Sequence, residues 1–142
     1  MRAGNAIQEL IKVHPQSVGL KLKVYPLAAP QGAVMPYVIY RPRPVPEHHL
    51  AGAGGLDQGS LDLAAFDTDY PRLLRVVQTI RAAIDGFHGQ VSVAGDVIPL
   101  RRCQIGAVEF DTIPPQAGQS LPIFVADLPV DVATTEPIPT FP

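Results

Sequence analysis

Ala6, Ile7, Leu10 and Ile11 recur at helical spacing, with Gln8, Glu9 and Lys12 between them, which predicts a short amphipathic helix over about residues 4–13. His14-Pro15 is read as its stop, because Pro15 disfavours a helical His14 and lacks the N–H that would continue the ladder. A loop with Ser17 and Gly19 is expected next. Val24-Tyr25-Pro26 reads as an extended segment and Pro30-Gln31-Gly32 as a turn. Tyr37-Val38-Ile39-Tyr40-Arg41 then alternates as a strand, with Tyr37, Ile39 and Arg41 on one face and Val38 and Tyr40 on the other. Pro42, Pro44 and Pro46, which cannot donate ladder hydrogen bonds, lead into a glycine-bearing stretch with His48 and His49, so a long loop is expected from Arg41 to Gln58.

Ser60 to Phe66 is the second strand, with Leu61, Leu63 and Ala65 on one side. Asp67-Thr68-Asp69 supplies N-cap candidates, Pro71 suits a first helical turn, and Leu73, Val76, Val77, Ile80, Ile84 and Phe87 form an apolar stripe closed by Gly86. Arg72, Arg75, Gln78, Thr79 and Arg81 are assigned to the helix surface. Val91 to Ala94 and Val97 to Leu100 flank Gly95-Asp96, the pattern of a two-residue type II′ hairpin. The second arm can run on through Arg101 to Phe110, a loop is expected from Ile113 to Ser120, and Leu121 to Leu128 is a strand that can extend past Pro129 as Val130-Asp131-Val132. The expectation is an α+β fold with a mostly antiparallel sheet of about four to five strands. Two helices pack on one face, a long loop joins the first two strands, and residues 1–133 form one domain followed by an extended Pro-rich arm, 134–142.

A chain of 142 residues is long enough for one real core, and with 17% charged residues its surface is poor in charge. A formal net charge of -2 supplies no field that would hold nucleic acid or an anionic membrane, and no apolar run approaches the ~18 residues of a membrane span. The reading is a soluble chain made in the cytoplasm. Cys103 is the only cysteine, so no intrachain disulfide can form, and a buried, inert thiol is expected. In a regular strand Arg101 would share its face and Arg102 would not.

Candidate chemistry is sparse. Adjacent His48 and His49 point to opposite sides of an extended chain and match no zinc spacing. Asp67 and Asp69 stand where a helix N-terminus wants acceptors. Gly52, Gly54 and Gly55 lack the Lys-Ser or Lys-Thr of a phosphate loop, and no nucleophile elbow is present. No catalytic residue, cofactor or metal site is assigned, and an enzyme is the least favoured class. A small-molecule site near Tyr37, Tyr40 and His49 is kept as an alternative of a different class.

Val24-Tyr25-Pro26-Leu27-Ala28-Ala29-Pro30-Gln31-Gly32, Met35-Pro36-Tyr37-Val38-Ile39-Tyr40 and Glu47-His48-His49-Leu50-Ala51-Gly52, followed by Gly59 to Phe66, Tyr70 and the helix ending Ile80 to Gly89, resemble the tail completion proteins of long-tailed bacteriophages. The resemblance spans roughly Ile7 to Leu100. It implies a structural virion protein, assembled in the host bacterial cytoplasm, that closes the head-proximal end of the tail tube as a ring, commonly of six copies. The implied partners are copies of itself, the tail tube protein and the head–tail connector, with no sequence-specific nucleic acid binding and no membrane. Family members tend to finish in an aromatic-rich strand, where this chain has Pro129 and the arm from Thr134. Arg41, Arg43, Glu47, His48, His49 and Asp57, on or beside the long loop, and Pro137 and Phe141 in the arm are the candidate contacts. A tail tube or neck connector subunit is the structural alternative.

Overall fold

The computed structural model describes residues 2–43, 56–118 and 120–135. They form three helices, α1 (Arg2–Val13), α2 (Pro15–Leu20) and α3 (Tyr70–Ile84). Their seven strands are β1 (Lys23–Pro26), β2 (Tyr37–Arg43), β3 (Leu56–Asp67), β4 (Gly89–Val93), β5 (Asp96–Ile105), β6 (Glu109–Ile113) and β7 (Ile123–Thr135). The sheet runs β1-β2-β3-β7-β5-β4, with β6 pairing β7 beyond the end of β5. Only the β1–β2 pair is parallel among these strands. The mostly antiparallel α+β expectation holds, while strand and helix counts exceed it.

The excess has local causes. Pro15 does end α1, yet it also starts α2: its fixed φ suits the first turn, and His14, extended at φ -66 and ψ 133, accepts at Nδ1 from the Gln16 N–H at 3.3 Å. The stretch read as a loop around Ser17 is therefore a helical turn. β2 continues through Pro42 to Arg43, which align with Leu61 and Ser60, and β3 begins at Leu56 because Leu56 to Gly59 align with Thr135 to Val132 of β7. Arg41, Arg43 and Asp57 thus belong to paired strands by their backbone, not to a loop.

The core lies between one sheet face and the helices. Ile7 and Ile11 of α1, Leu73, Val76, Ile80 and Ile84 of α3, Val38 and Tyr40 of β2, Leu61 and Leu63 of β3 and Leu128 and Val130 of β7 pack there. Thr79, expected on the surface, is buried, and its Oγ1 donates to the Arg75 carbonyl at 2.8 Å. The start of α3 also differs from expectation. Asp69 is the N-cap residue without a side-chain cap bond. Asp67, fully buried, accepts from the Asp69 N–H at 3.1 Å and takes a two-pronged ion pair from Arg72, both prongs 2.6 Å long.

β7 crosses the sheet centre in spite of Pro129. The Pro129 carbonyl accepts from the Gly106 N–H at 2.8 Å, so the missing N–H of Pro129 faces the break between β5 and β6, where it removes no ladder bond. A Cβ on Gly106 would stand 3.1 Å from Pro129 Cγ, which explains a glycine at the break. The hairpin turn of β4 and β5 is centred on Ala94-Gly95, with φ of 50 and 83, not on Gly95-Asp96. Two positive φ values match the type I′ family, whose twist suits the flanking strands. Between Leu100 and Arg102 the register shifts, and this bulge turns both Arg101 and Arg102 outward while Cys103 stays inside. Burial pushes the Cys103 thiol up to about 11.

Candidate functional site

The helices leave the second face of the sheet uncovered among the described residues, and strand alternation decides what that face presents. Two cross-strand rows run through five consecutive strands. Lys23, Tyr37, Phe66, Val125 and Asp111 align in one, and Tyr25, Ile39, Ala64, Asp127 and Glu109 in the next. The centre is apolar and aromatic, with Tyr37 stacked on Phe66 at 5.2 Å and Tyr25 edge-on to Tyr37 at 6.1 Å. Towards β6 the face turns acidic.

A groove of about 440 Å³ lies on this face, lined by Arg41, Asp62, Ala64, Phe66, Glu109, Val125 and Asp127. Partial burial, followed by the charges of Asp62, Glu109 and Asp111, holds the Asp127 carboxyl above its ordinary range, while Arg41 pulls it back. Glu109 stands directly across from Asp127, an arrangement that like charges disfavour in an isolated sheet. At the β6 edge an exposed aromatic group stands on the helix side: Tyr70 contacts Phe110 at 6.1 Å and Phe124 at 5.5 Å, with Tyr70 42% and Phe110 46% exposed. Leu74, one turn along α3 from Tyr70, is also exposed. A second groove, about 410 Å³, runs along the β4–β5 hairpin between His88, Gly89, Gln90, Pro99, Leu100 and Arg101.

Of the sequence-predicted contacts, Arg41 reaches the acidic groove, and its Nε donates to the Leu27 carbonyl at 3.2 Å. Arg43 and Asp57 lie on adjoining strands by their backbone. Glu47, His48, His49, Pro137 and Phe141 lie outside the described residues. The small-molecule alternative loses its geometry: Tyr37 and Tyr40 are on opposite sheet faces, and the Tyr40 hydroxyl is 3.3 Å from both Asn5 Oδ1 and Gln8 Oε1 in the core layer. Glu109, Asp111, Asp127, Tyr70 and Phe110 were missed from sequence. The alternation of Glu109 and Asp111 around Phe110 is the signal that could have found them, but from sequence that stretch reads as the continuation of the preceding strand. Among the described residues no group of three or more His, Cys, Asp and Glu is placed to hold a metal ion, and no helix is long and apolar enough to cross a membrane.

The uncovered sheet face, the acidic groove on it and the aromatic edge beside it are exposed surfaces of the described residues. No family model and no curated protein matches the chain. Its fold is similar to that of a chain in the solved structure described as "Virion of native gene transfer agent (GTA) particle". The TM-score is 0.63 at 11% identity, and the likeness covers 92% of each chain. At that identity the likeness establishes a shared fold.

Proposed function

We propose that this chain is a structural virion protein that acts as a tail completion, or tail terminator, protein. Identical copies close into a ring, probed first as a hexamer, that caps the head-proximal end of the tail tube with one face and meets the head–tail connector with the other. The action is steric: the ring stops further tube addition by shape and surface complementarity, without catalysis. The observation that carries this reading is the fold shared over nearly the whole length with a chain of a virion particle. The phage-tail resemblance of the sequence from Ile7 to Leu100 supports the particular position in the particle. A sheet face that the helices leave uncovered among the described residues and an exposed aromatic edge suit a protein that packs against partners.

Deleting the gene tests the role. A terminator deletion yields particles with overlong or unjoined tails. Complete loss of tails instead assigns the chain to the tube, and normal tails with full infectivity or transfer overturn the reading. Negative-stain images of the purified protein provide the second measurement, with an annulus as the expected form.

A further inference from the structure

The two cross-strand rows on this sheet face have unlike ends. The row Lys23, Tyr37, Phe66, Val125, Asp111 begins with an exposed cation at the β1 edge and ends with an exposed carboxylate at the β6 edge, both on the uncovered sheet face. Five strands at about 4.8 Å place the ends roughly 19 Å apart, so the pair cannot meet within one copy. Both edges also carry exposed apolar side chains. Leu27, immediately after β1, is 60% exposed, and Tyr70, Leu74 and Phe110 flank β6. Lys21 adds a second exposed cation beside β1, and Glu109 a second carboxylate on β6.

The backbone of β1 is not a free strand template. Its Val24 carbonyl accepts from Gln8 Nε2 at 3.0 Å, its Pro26 carbonyl accepts from the Ala28 N–H at 2.7 Å, and Pro26 has no N–H to donate. A contact at this edge is therefore carried by side chains, not by addition of a hydrogen-bonded strand, in contrast to the main-chain pairing that an open edge would permit.

We propose that a second copy of this chain docks edge to edge, with its β1 edge against the β6 edge of the first, so that Lys23 of one meets Asp111 of the other as the next step of the same row, with Tyr25 opposite Glu109. The opposed edges are different surfaces, so the contact is heterologous and each copy offers an unused edge to the next. Successive copies then continue the same cross-strand row around a closed ring. The inference deepens the ring reading above and rests on it.

Charge reversal and cross-linking of the full chain test it, with mass measured by sedimentation over a concentration series. K23E and D111K each weaken self-association at least roughly tenfold, because an attractive pair becomes a repulsive one, and the K23E/D111K double variant recovers most of the loss. K12E, the same charge change on an exposed residue of α1, leaves association unchanged. Oxidising K23C/D111C produces a covalent ladder, with Cys103 spared by its burial; circular dichroism and urea midpoints confirm that each variant is folded. A wild-type ring indifferent to both reversals, or without a ladder, overturns this contact while leaving the ring reading intact. A wild-type chain that stays monomeric alone and in particles overturns both, and one that joins only a purified tail tube overturns the self-contact.

Discussion

Replacing Arg72 with methionine isolates the interaction that starts α3. Asp67 is fully buried at the end of β3, while the Arg72 side chain is 34% exposed. The carboxylate accepts three hydrogen bonds: two from the guanidinium, both 2.6 Å, and one from the Asp69 N–H at 3.1 Å. Arg72→Met keeps much of the apolar stem and removes two of the three, leaving a buried charge with one donor. Breaking a buried pair costs about 3–5 kcal/mol, and partial solvent access at Arg72 argues for the lower end, about 3 kcal/mol. For a chain of this size that corresponds to a melting point lower by roughly 6–12 °C. Urea unfolding followed by circular dichroism, with an unchanged denaturant slope, measures the loss. The double variant D67N/R72M separates cause from correlation, because it removes the stranded charge and recovers more than half of the stability. A loss under about 1 kcal/mol for R72M, or a double variant as unstable as the sum of the singles, refutes the reasoning. Because Tyr70 stands on this first turn and Leu74 one turn along, R72M is also expected to weaken the proposed self-association in sedimentation.

Three further outcomes follow from the same geometry. Gly106→Ala brings a Cβ to 3.1 Å from Pro129 Cγ at the β5–β6 break and destabilises by about 1–2 kcal/mol in thermal melts; an unchanged melt shows that β7 yields there. Asp127 has a raised folded-state pKa, so the native state holds its proton more tightly than the unfolded state. Its ionisation therefore removes stability as pH rises from the ordinary value of 3.8 through the raised one, and D127N is more stable than the parent at pH 7 but not at pH 3. Urea midpoints at the two pH values decide this, and equal differences at both count against it. Cys103, pushed up to about 11 by burial, resists thiol reagents at pH 8 in the folded chain and reacts on unfolding; prompt labelling of native protein contradicts the assigned burial.

Much of the fold was legible from periodicity. The stripes Ala6–Ile11 and Leu73–Ile84 and the alternation of Leu61, Leu63 and Ala65 identify their own buried faces, because a helix or strand with one apolar side has one way to hide it. Continuation of the last strand through Val132 was also open to that reading. The errors fell where a residue serves two purposes. Pro15 both stops α1 and starts α2, Pro42 lies inside a paired strand, and the Arg101 bulge breaks the alternation that assigned its face.

By itself the sequence determined the apolar faces that make up the layers and the burial of Cys103, since these depend on local spacing and residue type. Only the tertiary structure decided which strands are neighbours. That ordering aligns Lys23 with Asp111 across five strands, sets Glu109 against Asp127 and brings Tyr70 to Phe110. Such register depends on contacts between residues tens of positions apart, through core packing that no local pattern specifies.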